Sequence, residues 1–166
     1  RLAVHPASID SARFATLAAK PAIRSIWAAL TSRLGPRRIV LGVDRLDYTK
    51  GLPLRLEAYE RLLESAEVTP DSTVFLQVAV PSREGVSSQA AERSEVERIA
   101  HRINTRFGTG PGPAGQAVVL HVGTLGVEEL VAHYLAADVL VVCPKRDGMN
   151  LVAKEYCAVN RHGVLV

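Results

Sequence analysis

No apolar stretch in this chain of 166 residues is long enough to cross a membrane: runs such as Val139 to Val142 are broken by Asp, Lys or Gly well short of the roughly twenty residues that a helical span needs. The only methionine is Met149 and the first residue is Arg1, so neither an initiator nor the basic-then-apolar pattern of a secretion signal stands at the front. The chain therefore reads as a piece of a longer polypeptide. Cysteine is scarce. Cys143 and Cys157 match neither a zinc spacing nor a disulfide framework, which suits two structural thiols in a cytoplasmic protein. The five histidines, His5, His101, His121, His133 and His162, also lack ligand spacing, so each is expected to be structural or exposed, and no metal is expected. There is no internal repeat and no low-complexity tract.

What is present is ordinary for a soluble globular domain: 48% hydrophobic and 22% charged residues, in a length that suits one domain with a sizeable core. The net charge of +3 is uneven, with seven Lys/Arg against one Asp in residues 1–38 and thirteen against sixteen acids in the rest. Arg13, Lys20, Arg24 and Arg33 alternate with apolar residues at helical spacing, which is the pattern of a solvated helix face and not of a nucleic-acid site.

Short β-branched runs alternate with amphipathic segments, the pattern of parallel strands joined by helical crossovers. Strands are expected at residues 38–43, 73–80, 118–122, 139–143 and 163–166. Helices are expected over 11–34 with a break at Pro21, then from Gly51 with Leu54, Ala58 and Leu62 inward beside Tyr59 and Leu63, and over 87–107, 127–137 and 150–159. Residues 108–115, rich in Gly and Pro, read as a surface loop, and residues 1–6 as a further strand. The sum is an α/β, doubly wound, mainly parallel Rossmann-like sheet with helices on both faces. Residues 1–36 are expected to lead into a domain at residues 37–166 that is cut off at its C-terminal end.

Ligands of open parallel sheets bind outside the carboxyl ends of the strands, where helix N-termini converge. Neither G-x-G-x-x-G nor G-x-x-x-x-G-K-S/T occurs there, and no G-x-S-x-G frame surrounds Ser82 or Ser87. A phosphate would then be held by side chains and helix ends. In Val43-Asp-Arg-Leu-Asp-Tyr-Thr-Lys-Gly51, Arg45 and Lys50 precede a helix, an arrangement suited to a pyrophosphate; pairing of Arg45 with Asp44 or Asp47 in a structural network explains the motif equally well. In Lys145-Arg-Asp-Gly-Met-Asn-Leu-Val-Ala-Lys-Glu155, Gly148 would permit a turn closed to other residues. Asp147 could accept from sugar hydroxyls or cap a helix, and the amides near Asn150 and Leu151 face an anion. Glu155 falls on the inward stripe, where ribose hydroxyls or a nearby Arg or Lys would partner it.

These two loops resemble the donor-site motifs of the trehalose-6-phosphate synthase family, retaining glycosyltransferases built from two Rossmann-like domains in the GT-B arrangement. The resemblance extends over nearly the whole chain, including Ser8-Ile9-Asp10 and Pro81-Ser82-Arg83-Glu84. It implies transfer of glucose from UDP-glucose or another nucleotide-glucose to glucose 6-phosphate, giving trehalose 6-phosphate, with no cofactor. Arg45 and Lys50 would hold the donor diphosphate. Asp147, Gly148, Met149 and Asn150 would meet the glucose, and Leu151, Val152 and Glu155 the nucleoside, Glu155 taking the ribose hydroxyls. Arg45, Lys50 and Asp147 would thereby be the catalytic residues, and Arg83 would reach the acceptor's phosphate. An N-terminal domain supplying most of the acceptor pocket is expected elsewhere in the polypeptide, so the chain alone is expected to be inactive. His5-Pro6-Ala7, Lys145 and Cys157 depart from the family pattern without touching these contacts. A non-catalytic module that senses nucleotide-sugars is the alternative, and its hallmark, eroded cations, is absent. A receiver- or flavodoxin-like domain would fit the strand–helix rhythm, but this chain lacks an acidic cluster after the first strand suited to Mg²⁺. The sequence leaves the oligomeric state open, a homo-oligomer being allowed.

Overall fold

The computed structural model describes residues 7–81 and 86–166. Its helices are α1 (Ser11–Ala18), α2 (Pro21–Leu34), α3 (Leu52–Glu64), α4 (Val86–Phe107), the single turn α5 (Gly112–Gly115), α6 (Val127–Ala136) and α7 (Leu151–Val159). The strands are β1 (Arg38–Arg45), β2 (Thr73–Val80), β3 (Val118–Val122), β4 (Val139–Leu140) and β5 (Val164–Leu165), with a 3-10 turn at Tyr48–Lys50. They form one sheet in the order β3-β2-β1-β4-β5, and every pairing is parallel. The order reverses between β1 and β4, the switch point of a doubly wound sheet.

The period of two along each strand sends alternate side chains to opposite faces. Ile39, Leu41 and Val43 of β1 and Val74, Leu76 and Val78 of β2 meet Leu17, Ile23, Leu30 and Leu34 of α1 and α2, with Val131 and Tyr134 of α6 and Tyr156 of α7. Phe75 and Ala79 of β2 turn the other way, toward Leu52, Leu56, Tyr59 and Leu63 of α3 and Val96, Ile99 and Ile103 of α4. The expected α/β architecture with both faces covered is thus the observed one.

Several local expectations change. The inward stripe of α3 is Leu52, Leu56, Tyr59 and Leu63, while Leu54 and Leu62 are 54% and 39% exposed. Leucines at helical spacing lie on both sides of this helix, and only the sheet decides which stripe is buried. β4 ends at Leu140 instead of Cys143, although the Val141 amide still donates to Leu41 O at 2.9 Å. Residues 112–115 fold as a helical turn with Gly115 buried. Cys143 and Cys157 are both exposed, not structural core thiols. The strand expected at residues 1–6 lies outside the described residues.

At the foot of the sheet, where the strands begin, Arg37 is 9% exposed. Its guanidinium donates to the carbonyl oxygens of Leu34 at 2.9 Å, Pro70 at 3.0 Å, and Gln116 and Pro113 at 2.7 Å each. Those acceptors end α2 and lie in the connections entering β2 and β3.

Candidate functional site

The upper rim is built from the segments that leave β1 and β4. After β1, the Asp47 carboxylate accepts from the amide and the hydroxyl of Thr49, both at 2.9 Å, and so holds the 3-10 turn. Those bonds, the amide first, keep its carboxyl below the usual value. Gly51 then enters α3 at φ +66°, a left-handed conformation that suits glycine. A Cβ at Gly51 would lie 3.3 Å from the Cys143 carbonyl oxygen, so the two rim segments touch closely. The Arg146 amide donates to Thr49 O at 3.1 Å, joining them backbone to backbone.

Side chains join them as well. Lys50 Nζ lies 2.8 Å from Asp147 Oδ2, with side-chain exposures of 13% and 19%. Asp147 also accepts from the Gly148 amide at 2.9 Å and from Asn150 Nδ2 at 3.2 Å. The Lys50 bond is the chief cause that holds the Asp147 carboxyl below its ordinary value. The capping role open to Asp147 belongs to Asn150, whose Oδ1 accepts from the Ala153 amide at 2.9 Å and opens α7. The turn closed to other residues that was expected at Gly148 is not there: its φ is outside the left-handed region, and a Cβ would meet nothing within 4 Å.

Between the segments lies a cavity of about 290 Å³ lined by Val43, Asp44, Arg45, Lys50, Asp147, Met149, Asn150, Leu151 and Val152. The Leu151 and Val152 amides belong to the first turn of α7, whose leading N–H groups have no acceptor within the helix and carry partial positive charge. Arg45 extends into solvent with its side chain 53% exposed, and its Nη2 stands 3.7 Å from Asp47 Oδ2, too far and too wet to occupy it fully. Its pairing with Asp47, one of the two open readings, is therefore present but loose.

Glu155 lies half-buried one turn further along α7, and among the described residues neither an Arg nor a Lys pairs with it. The Tyr134 hydroxyl donates to its Oε2 at 2.7 Å. Burial, and then this bond, push the Tyr134 phenol above its usual value, so it stays a donor. Oε1 of Glu155 has no hydrogen bond among the described residues. Arg83 lies outside the described residues.

Sequence reasoning missed the layer beneath the cavity. Asp44, 8% exposed, faces Arg55, 3% exposed, with Oδ2 and Nη2 at 2.7 Å. Among the described residues neither atom makes a hydrogen bond of regular geometry, so the contact is a close buried ion pair. Burial pushes the Asp44 carboxyl above its ordinary value, and the Arg55 charge only partly opposes that. Arg55 also donates Nη1 to Gln77 Oε1 at 3.3 Å and Nε to Cys143 Sγ at 3.4 Å. The one available signal was Gln77, a lone amide in the otherwise apolar run of β2. Among the described residues no three or more His, Cys, Asp or Glu gather as metal ligands, and no helix is long and apolar enough to cross a membrane.

The family model of glycosyltransferase family 20 matches residues 1–166 of the chain. The chain belongs to glycosyltransferase family 20. A trehalose-6-phosphate synthase of Mycolicibacterium vanbaalenii is 47% identical over 161 residues, covering 95% of this chain and 32% of its own length. An α,α-trehalose-phosphate synthase (UDP-forming) from Burkholderia xenovorans, solved with glucose-6-phosphate, superposes with a TM-score of 0.88 at 34% identity, over 98% of this chain and 36% of that one. An Escherichia coli protein solved with UDP-2-fluoro glucose superposes with a TM-score of 0.80 at 34% identity, over 95% and 35%. The family 20 chain thus spans about a third of the length of the curated relatives it matches. Its doubly wound sheet corresponds to one half of their GT-B fold.

Proposed function

We propose that this chain is the nucleotide-sugar-binding half of a retaining glucosyltransferase that moves glucose from UDP-glucose, or a similar nucleotide-glucose, to glucose 6-phosphate, giving trehalose 6-phosphate. The observation that carries the reading is the switch-point cavity, where Arg45, Lys50, Asp147 and the first turn of α7 come together in a family 20 chain. Relatives solved with glucose-6-phosphate and with UDP-2-fluoro glucose support both substrates.

In this proposal each group has a capacity suited to its role. The Lys50 ammonium has three donors and spends one on Asp147, leaving two for diphosphate oxygens. Arg45, in water and loosely paired, is free to fork onto a phosphate. The Leu151 and Val152 amides add helix-end charge. Asp147, with Gly148, Met149 and Asn150 around it, retains lone pairs for glucose hydroxyls. Glu155 keeps Oε1 for the ribose while Tyr134 fixes its other oxygen. As the glucosyl bond breaks, negative charge grows on the leaving diphosphate, and groups already aimed at it lower the barrier. The acceptor hydroxyl attacks on the face that the leaving group vacates and passes its proton to the departing diphosphate oxygen, so the enzyme supplies charge and alignment without a nucleophile, metal or cofactor. Arg83 and an N-terminal domain of the same polypeptide complete the acceptor pocket, and residues 1–36 connect that domain to residues 37–166.

Calorimetry on the full-length polypeptide with UDP-glucose and ADP-glucose, beside the Lys50→Ala variant, tests the reading. Lys50→Ala should weaken the nucleotide-sugar and lower turnover on the order of a hundredfold or more, the scale of losing one stabilising donor. Equal affinities for parent and variant would remove the diphosphate role.

A further inference from the structure

The formal charges that line the cavity cancel, Asp44 and Asp147 against Arg45 and Lys50. A doubly charged diphosphate entering a site of zero formal charge gains little net attraction from the groups that line it. Lys50 is also partly engaged by Asp147 at 2.8 Å, so the balance falls on whatever offsets the second carboxylate, Asp44.

That offset comes from below. Arg55 does not line the cavity, and its side chain is only 2% exposed, yet its Nη2 stands 2.7 Å from Asp44 Oδ2. The guanidinium is fixed from the other sides. Gln77 donates its amide to Gly42 O at 3.1 Å and Val78 O at 3.0 Å, and this turns its Oε1 toward Arg55 Nη1. Gly42 leaves the space: a Cβ there would stand 2.7 Å from Nη1. Gly42, Arg55 and Gln77, on three different elements, thus hold one buried cation against a carboxylate of the site.

We propose that Arg55 is a positioning residue for diphosphate binding, neutralising Asp44 from beneath so that the cavity presents a net positive charge to the ligand. The inference rests on the nucleotide-sugar reading above and adds a residue to it that never touches substrate. A merely structural Arg55 would tie α3 to the sheet and nothing more. The two roles separate because the two charges act on the ligand with opposite signs: removing the cation leaves the buried carboxylate to repel the anion, and removing the carboxylate as well lifts that repulsion.

The test is titration of the full-length polypeptide with UDP and with uridine, for the parent, Arg55→Met, Asp44→Asn, the double variant and Lys50→Ala. Arg55→Met should weaken UDP by on the order of tenfold, the effect of one uncompensated charge near a partly buried anion, and leave uridine unchanged. Asp44→Asn should tighten UDP several-fold, and the double variant should return to within about threefold of the parent. A double variant as weak as Arg55→Met, or equal losses for UDP and uridine, overturns the proposal. If Arg55→Met does not fold, Asp44→Asn decides alone: tighter UDP with unchanged uridine supports the proposal, and unchanged or weaker UDP ends it. Failure of Lys50→Ala to weaken UDP would instead strike the donor-site reading itself.

Discussion

Along one side β1 pairs with β2 through eight consecutive residues, Arg38 to Arg45, whereas along the other it meets β4 only at Val40 and Leu41. The long ladder fixes register and carries the middle of both cores. The short one stops early: past Leu140 the Val141 amide still donates to Leu41 O and the Val142 amide to Val166 O, and the chain then reaches Cys143, whose carbonyl oxygen lies close to Gly51. Buried or half-buried backbone must still find partners. Here it finds them across the cleft, in the Arg146 amide on Thr49 O, and in the side chains of Asp147 and Asn150. The difference teaches that the cavity exists because pairing ends, and that the firm side of β1 holds the strand while its open side holds the polar groups.

This contrast can be broken at three points of decreasing size. On the firm side, Leu41→Ala removes a side chain with no exposure, and should cost about 2–5 kcal/mol in urea unfolding at constant m-value. A loss under about 1 kcal/mol would show that β1 does not anchor the core. On the open side, Asn150→Ala deletes the cap of α7 and should cost only about 1 kcal/mol while speeding hydrogen exchange at the Ala153 amide. Stability and exchange both unchanged would mean that α7 begins without that cap. The smallest effect belongs to the Lys50 to Asp147 link. The folded Asp147 carboxyl lies below its unfolded value of about 3.9, so its contribution is complete above that pH and disappears as pH falls through the folded value. Asp147→Asn should therefore cost no more than about 1 kcal/mol at neutral pH, given solvent screening, and nothing in strong acid. An Asp147→Asn profile parallel to the parent's down to pH 2 would refute that link.

The sequence carried the firm side almost completely. β2 and β3 fall at the expected residues because a β-branched run bounded by turn residues has few other uses. It carried the open side less well. Val139 to Cys143 has strand composition throughout, yet a strand extends only as far as its neighbours accompany it, and no local pattern reports where a neighbour stops. The rim residues Arg45, Lys50, Asp147 and Asn150 were legible because each ends or follows a strand at the switch point. Arg55 was not: on an amphipathic helix a charged residue reads as solvent-facing, and its partners Asp44, Gln77 and Cys143 come from β1, β2 and the segment that follows β4. Pairings across such distances are settled by packing alone.

Arg37 gives the opposite end of the sheet a different mechanical character. One planar cation answers four carbonyls from connections far apart in the chain, in directions that a lysine's single ammonium cannot reproduce. The base of the domain is thereby clamped at a single hub, and transplanting any one of the connections that it grips would disturb the rest. Among the described residues the loops at the top share no such hub, so grafts that alter what the fold recognises belong there.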